Sequence, residues 1–334
     1  MISKTRDARS VATEQKIANQ EMVASPLVWV SGASGFIGRH LVRALLDSRS
    51  RVVGFCRKMP AEPETGLVEL FEGGLDTAGL NQALLRHGPP DLVYHFAGGR
   101  TVGASFENPL SDFESSVLAT ARLLDVLRCA APSVPVVLAS SAAVYGKGQS
   151  GPIQVSAPLA PLSPYGHHKQ MAEQLAQSYA ETYGMRITVL RLFSIYGPEI
   201  GKQLIFDLCT LLAAGHDPLT LGGTGRESRD WCHVSDVVRL CLELQPATVG
   251  QPDVFNVGSG TGTIIAEVAR LTRKAWGSRV AVVFSGQSRP GDPFSLIAER
   301  ASLPLGFSPK VALGSGLEDF VRWFKNKDVP RRAD

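Results

Sequence analysis

The sequence predicts an α/β fold, a doubly wound parallel sheet with a smaller C-terminal lobe, and three observations carry that expectation. Between Leu27 and Leu190 short apolar runs alternate with stretches of helical apolar spacing, the pattern of strand–helix–strand units. The first apolar run ends in a glycine-rich turn that opens directly into one of those helical stretches. After Arg191 the alternation gives way to turns, short runs and separate helices, which marks the second lobe. At 334 residues the chain is long enough for one large domain or two closely fused ones.

Residues 1–26 are polar and mixed in charge, with Lys4, Arg6, Asp7, Arg9, Glu14 and Glu21, and hold no apolar core of a signal peptide. They are read as an N-terminal extension without an assigned role. Leu27–Val30 is a short strand. It runs into Ser31-Gly32-Ala33-Ser34-Gly35-Phe36-Ile37-Gly38, and Leu41, Val42, Leu45 and Leu46 continue at helical spacing. Strand, glycine turn and helix together are the setting of a dinucleotide fingerprint. Gly32 allows the tight turn, Gly35 lets the backbone approach a pyrophosphate, and Gly38 permits close helix packing. The helix N-terminus then presents free N–H groups to the diphosphate. Gly32, Ser34, Gly35, Phe36, Ile37 and Gly38 are therefore candidate cofactor-binding residues of a Rossmann-type domain.

A second strand, Arg51–Phe55, ends at Cys56-Arg57-Lys58. A carboxylate at this place would bind the adenosine ribose hydroxyls and exclude a 2′-phosphate. None is present, and the guanidinium of Arg57 suits that phosphate. The expected cofactor is NADP(H), with NAD(H) as the alternative. Asp91–Phe96 reads as another buried strand, ending in Ala97-Gly98-Gly99, with Ala97 beside the cofactor and His95 a packed core histidine. Pro109–Cys129 has the spacing of one long helix, with Phe113, Val117, Leu118, Leu123, Leu124 and Leu127 on a broad apolar face.

Val134–Ala139 forms the next strand and delivers Ser140-Ser141 to its C-terminal end, where an open parallel sheet carries its catalytic groups. The proline-rich stretch from Pro152 to Pro164 is a loop. Ser163 caps and Pro164 opens a helix that continues through Met171, Leu175, Tyr179 and Tyr183. Tyr165 and Lys169, four apart, share one face of it. A phenol titrates near pH ~10 and is a poor acid or base at neutral pH. A nearby ammonium stabilises the phenolate and brings its pKa toward the working range. The hydroxyl of Ser141 is placed to bind the same substrate oxygen. Together these are the groups needed for hydride transfer at a carbinol or ketone carbon.

Ile187–Arg191 closes the regular alternation. Tyr196-Gly197-Pro198 is a turn, Leu204–Leu212 a helix and Leu219–Arg229 a glycine-rich hairpin or loop. Val234–Leu244 and Ile264–Ala275 are helices flanking a strand at Val254–Val257. A loop holds Arg289-Pro290-Gly291-Asp292, and an amphipathic helix covers Leu317–Lys325. The expected division is an extension over 1–26, a dinucleotide-binding Rossmann domain over 27–190, and a mainly substrate-binding domain over 191–330 with segments returning to the Rossmann core.

The formal charge of +3 is small and not gathered into blocks, so no nucleic-acid partner is expected. No apolar stretch is long enough to span a bilayer, so no membrane partner is expected. The five cysteines, Cys56, Cys129, Cys209, Cys232 and Cys241, have no metal-ligand spacing. They are read as reduced thiols of a cytoplasmic protein with no metal site.

Seven motifs in order now carry a family resemblance over Leu27 to about Phe324. They are Gly32-Ala-Ser-Gly-Phe-Ile-Gly38, His95-Phe-Ala97, Ser140-Ser-Ala-Ala-Val-Tyr-Gly146, Tyr165-Gly-His-His-Lys169, Leu190-Arg-Leu-Phe-Ser-Ile-Tyr-Gly-Pro198, Ser228-Arg-Asp-Trp231 and Arg289-Pro-Gly-Asp292. The chain resembles the extended short-chain dehydrogenase/reductase family, in its nucleotide-sugar epimerase, reductase and dehydratase branch. The resemblance implies that Ser141, Tyr165 and Lys169 are the catalytic serine, acid–base tyrosine and lysine, the last also holding the nicotinamide ribose. It implies that Arg229 and Arg289 clamp the diphosphate of a nucleoside-diphosphate sugar, and that Asp292 binds its ribose. Guanidinium forks match paired phosphate oxygens. Arg100 falls in a region where relatives contact the sugar through a lysine, and Ser194 where many use an asparagine.

The departures sort the activities. Dehydratases of this branch carry Thr-Asp-Glu where this chain has Ser141-Ala142-Ala143, so dehydration lacks its acid and base. Many 4-epimerases have an acidic residue at the place of Cys56 and an asparagine at that of Ser194. The expected activity is therefore a 4-keto-sugar reductase. A nucleotide-sugar 4-epimerase resembling UDP-glucose 4-epimerase is the alternative, and a non-catalytic dinucleotide-sensing protein the remote one. The stretch from Pro109 and the helix after Tyr165 carry more apolar surface than one sheet face covers. In the family they pair as a four-helix bundle, so a homodimer is expected.

Overall fold

In a computed structural model the described residues are 25–99, 101–147, 151–244, 247–287, 293–304 and 306–327. The first half runs β1 (Leu27–Ser31), α1 (Phe36–Asp47), β2 (Arg51–Cys56), β3 (Glu69–Glu72), α2 (Thr77–His87) and β4 (Leu92–His95). Next come α3 (Val102–Glu107), α4 (Pro109–Phe113), a π turn over Glu114–Leu118, α5 (Ala119–Ala130), β5 (Val136–Ser141), α6 (Pro164–Tyr183) and β6 (Ile187–Leu192). The C-terminal part holds β7 (Ser194–Tyr196), α7 (Gln203–Ala213), β8 (Leu219–Leu221), β9 (Ser228–His233), α8 (Val234–Glu243) and β10 (Asp253–Val257). It ends with β11 (Gly262–Ile264), α9 (Ile265–Trp276), β12 (Val282–Phe284), β13 (Ser295–Leu296) and α10 (Leu313–Asn326).

Seven strands pair in the order β10-β6-β5-β4-β1-β2-β3, all parallel. This is the doubly wound sheet expected from the alternation. Successive residues of each strand serve opposite faces. Leu27 and Trp29 pack with α2, α5 and α6 on one side. Val28 and Val30 pack with α1 and α8 on the other. The strands read as near-continuous apolar runs because both faces are covered. β10 lies far along the chain yet adds to the sheet beside β6, so the C-terminal part is threaded back into the core. The remaining helices α7, α9 and α10 gather around Tyr196, Phe320 and Phe324 as a smaller lobe.

Three local expectations are refined. Pro109–Cys129 is helical throughout, as expected, but not uniformly α: a π turn joins α4 to α5. Its Ser116 Oγ accepts the Gly99 N–H at 2.9 Å, while Ser116 O accepts the Thr120 hydroxyl at 2.6 Å, so side chains draw on the backbone of the widened turn. Of the hairpin or loop expected over Leu219–Arg229, the loop is found: residues 222–227 join β8 to β9, which do not pair with each other. β8 pairs in parallel with β12, and β9 lies between β7, β11 and β13. The unassigned stretch after Lys58 holds β3 and α2. β3 is a four-residue strand with glutamates at both ends at the sheet edge, too short to show a period. α2 starts at Asp76, whose carboxylate accepts the Gly79 N–H at 2.6 Å.

Candidate functional site

The C-terminal ends of β1, β2, β4, β5 and β6 open onto one cleft of about 1600 Å³. It lies where the strand order reverses from β1–β2 to β1–β4, the place at which such sheets bind ligands. Sites for one drug-sized molecule take roughly 300–1,000 Å³, so this cleft has room for two.

At one end the turn after β1 forms a cradle. Gly32 has φ +69, and a Cβ on it would stand 2.8 Å from the backbone N of Ala97. A Cβ on Gly38 would stand 2.0 Å from the carbonyl oxygen of Gly32. Only glycine fits either place. Gly35 caps α1 without a side-chain bond, which leaves the N–H groups of the first turn facing the cleft that Ser34, Phe36 and Ile37 also line. The cradle fits a dinucleotide diphosphate. Ala97 at the end of β4 is fixed by its N–H bond to Ser31 Oγ at 3.1 Å. Behind it His95 is buried, bonded to Ser31 at 2.6 Å and Thr120 at 2.9 Å. Burial, aided by the Lys169 charge, brings its imidazole down to about 3, so it stays neutral as a core histidine.

At the end of β2 the Cys56 thiol turns inward toward the Phe71 carbonyl at 3.5 Å, and burial pushes it up. It offers the cleft no charge. Arg57 and Lys58, both exposed, line the cleft beside Gly73 and Gly74.

The fold brings Ser141, Tyr165 and Lys169 together. Ser141 ends β5, and its Oγ accepts the Ala143 N–H at 3.2 Å, which turns the chain away and leaves the hydroxyl in the cleft. Ser163 caps α6 by accepting the Gly166 N–H at 3.1 Å, and Pro164 sits in the first turn, as the sequence indicated. Tyr165 lines the same cleft as Ser141. Lys169 is buried, with Nζ 6.0 Å from the Tyr165 ring centroid and donating to Ala139 O at 2.9 Å. Burial lowers its pKa to about 8, against the pull of Asp112 and Glu173. The expected low phenol pKa is not found. Burial pushes Tyr165 up, the Ser141 hydroxyl opposes it, and Asp112 adds to the rise. Tyr165 is therefore protonated at neutral pH in the protein alone.

Sequence reasoning missed what holds these groups. Arg191 on β6 grips Glu173 of α6 through Nε and Nη2, the latter at 2.8 Å. Its other nitrogen reaches the Tyr145 hydroxyl and the Val155 carbonyl, each at 2.8 Å. Ser140 donates to Glu173, and Tyr145 donates to Asn256 of β10 at 2.7 Å. Four regular elements, β5, β6, α6 and β10, and the chain at Tyr145 and Val155 are thereby tied together next to Ser141. A buried-strand arginine and a glutamate eight residues after Tyr165 were the available signal.

Among the residues expected at the substrate, Ser194 and Arg229 line the same cleft from β7 and β9. Arg229 is buried and donates to Ser228 O at 2.8 Å and Phe294 O at 3.4 Å. Arg100, Arg289 and Asp292 lie outside the described residues. Glu199, Asp207 and Glu227, none of them expected, also line the wall. Among the described residues no group of three or more histidine, cysteine or acidic side chains is arranged to hold a metal. None of the described helices is long and apolar enough to cross a membrane.

A model of the NAD dependent epimerase/dehydratase family matches residues 28–258. The UDP-glucose 4-epimerase of Azospirillum brasilense is 32% identical over 315 residues, covering 87% of this chain and 89% of its own. The structure of UDP-glucuronic acid 4-epimerase from Bacillus cereus, in complex with UDP-glucuronic acid and NAD, is similar at a TM-score of 0.79 and 28% identity. The match covers 90% of this chain and 99% of that one. The UDP-glucose 4-epimerase of Thermus thermophilus, in complex with NAD, gives a TM-score of 0.80 at 28% identity, with 90% and 99% covered.

Proposed function

The chain belongs to the NAD dependent epimerase/dehydratase family, and we propose that within it the protein is a UDP-sugar 4-epimerase. It is a nucleotide-sugar enzyme that works with a nicotinamide dinucleotide. The observation carrying the finer reading is the Tyr165 ring, set with Ser141 and Lys169 in one cleft with room for two ligands. The similarity to 4-epimerases moves the weight from reduction, which the basic end of β2 favours, to epimerisation. Ala142 and Ala143 stand beside Ser141, so the pair that removes water in dehydratases is replaced by methyl groups.

The bound dinucleotide supplies the acceptor, and then the donor, of the C4 hydride. With the positive charge of the oxidised dinucleotide bound beside it, Tyr165 would first release its own proton to solvent, and its phenolate would then take the proton of the C4 hydroxyl and later return it to the same oxygen. Ser141 holds that oxygen in line with the phenol. Lys169 puts a positive charge beneath the phenolate as it forms and reaches the nicotinamide ribose. Gly32, Ser34, Gly35, Phe36, Ile37 and Gly38 cradle the diphosphate, with Ala97 beside them. Arg229 with Arg289 clamps the sugar nucleotide's diphosphate, Asp292 its ribose, and Arg100 and Ser194 the sugar. On this reading residues 27–190 bind the dinucleotide, and 191–330 supply most of the substrate wall.

Incubation with UDP-glucose or UDP-glucuronic acid and NAD or NADP, read by NMR of the C4 configuration, tests the assignment. Inversion at C4 without net change in reduced cofactor is expected. Oxidation of one NADPH per turnover on a 4-keto sugar would make the protein a reductase instead.

For the cofactor we propose that NADPH binds more tightly than NADH, because Arg57 stands where no carboxylate excludes the 2′-phosphate. One charge-assisted contact is worth about 1.5–3 kcal/mol, or about tenfold to a hundredfold in affinity. Arg57→Ala narrows the difference in a fluorescence titration of both cofactors, whereas tighter NADH binding by the unaltered protein would refute the preference. For assembly we propose a homodimer. Leu110, Phe113, Met171 and Tyr183 on α4 and α6 remain exposed, and isologous packing of such faces would bury them. Light scattering at micromolar concentration should give twice the chain mass; a monomer would remove the proposal.

A further inference from the structure

Behind Tyr165 and Lys169 lies a second pair of titratable side chains that the chemistry above leaves unused. Asp112 on α4 and His168 on α6 are joined by a 2.6 Å bond between Oδ2 and Nδ1. Their side chains are only 5% and 12% exposed, respectively. A carboxylate only accepts, so Nδ1 of His168 carries the shared proton. Asn108 starts α4 by accepting the Ser111 N–H at 3.0 Å, with Pro109 in the first turn, and so fixes the height at which Asp112 enters.

The other carboxylate oxygen faces the end of β4. A Cβ on Gly99 would stand 1.8 Å from Asp112 Oδ1 and 3.0 Å from Cδ2 of Tyr165. A Cβ on Gly98 would stand 2.6 Å from Lys169 Nζ. Two adjacent glycines thus let a carboxylate, a phenol ring and an ammonium converge on one piece of backbone. We infer that Asp112 and His168 are positioning residues for the proton transfer: the Asp112 carboxylate keeps Lys169 charged beneath the cleft, and His168 holds that carboxylate in place. The inference rests on the reading of Tyr165 and Lys169 as the acid–base pair.

The physical need is plain. A buried ammonium tends to lose its proton, and the backbone carbonyl of Ala139 is a neutral acceptor. Glu173, the other carboxylate acting on Lys169, is already engaged by Arg191 and Ser140. Of the two, Asp112 is the larger influence. Of the other titratable groups among the described residues on the packed elements, Arg122 of α5 lines the cleft, and Asp125 and Arg128 of α5 pair with each other. His95 on β4 is held neutral, while Glu107 on α3, Glu114 on the π turn and His167 on α6 are exposed. The Phe113 ring meets His168 edge-on at 5.6 Å and shields the pair from that side.

The test titrates Lys169 directly by NMR of isotope-labelled lysine side-chain nitrogens, assigned with Lys169→Arg and recorded without sugar. Asp112→Asn should move the midpoint to lower pH, because removing a nearby negative charge makes the ammonium easier to deprotonate. The alkaline fall of kcat should move with it, and kcat at neutral pH should drop about five- to tenfold with KM nearly unchanged. His168→Ala should shift the midpoint in the same direction, and His168→Gln, which restores a donor, should bring it back. Equal midpoints in Asp112→Asn and the unaltered protein, both with intact cofactor affinity, would overturn the inference. Equal midpoints in His168→Ala and His168→Gln would remove His168 from it. Should Tyr165→Phe keep full turnover while the midpoint still moves in Asp112→Asn, the catalytic reading fails and the electrostatic coupling stands.

Discussion

Tyr165→Phe is expected to lower turnover by about 10²- to 10⁴-fold, the usual worth of a positioned general acid–base group, while cofactor affinity stays within about twofold. The substitution deletes one oxygen and keeps the ring, which packs against Gly99. The lost atom is the acid–base oxygen of the cleft that Ser141 also lines. The N–H of Tyr165, bonded to Ser105 Oγ at 3.0 Å, is untouched, so the start of α6 should hold. Lys169→Ala acts differently. It removes a buried charge and, on the proposed reading of the site, a ribose contact with it, so turnover and cofactor affinity should fall in parallel. Steady-state kinetics and a cofactor titration on the two variants separate the roles. Near-normal turnover in Tyr165→Phe with full cofactor binding would assign the proton transfer to another group.

The parts of this site legible in the sequence are those fixed by local geometry. The glycine spacing of Gly32, Gly35 and Gly38 could be read because close backbone approach admits no other residue. Ser163 and Pro164 announced a helix start, and a four-residue interval then put Tyr165 and Lys169 on one face. What could not be read depends on distant segments. Arg191 looks like one more residue of an apolar strand until β6 pairs with β10 and the loop through Tyr145 closes over it. Asp112 looks like a polar interruption of a long helix until the fold sets it beside Gly99, where the Tyr165 ring also packs. The phenol's pKa was misjudged for the same reason. Residue spacing pointed to the neighbouring ammonium, whereas the burial that dominates is a property of the assembled cleft. Residues 219–229 showed glycines enough for a hairpin, but β8 and β9 find their partners in β12, β7, β11 and β13. Pairing of that kind leaves no local trace.

Arg191→Ala should destabilise the protein by about 3–5 kcal/mol, the range expected when one member of a buried ion pair is removed. Arg191 and Glu173 side chains are 8% and 9% exposed, so the carboxylate left behind would have little water to turn to. Ser140 would remain as its donor, and the Tyr145 hydroxyl and Val155 carbonyl would lose theirs. The denaturant midpoint should fall accordingly. Arg191→Met combined with Glu173→Met replaces the pair with apolar side chains and should recover most of the loss, since the desolvation cost disappears along with the attraction. Activity need not return with stability. Ser140 would lose its acceptor one residue from Ser141, so kcat in the double variant should stay below that of the unaltered protein even where the fold is restored. A loss under about 1 kcal/mol in Arg191→Ala would mean that water enters beneath β5, and the pair would then count as a surface salt bridge.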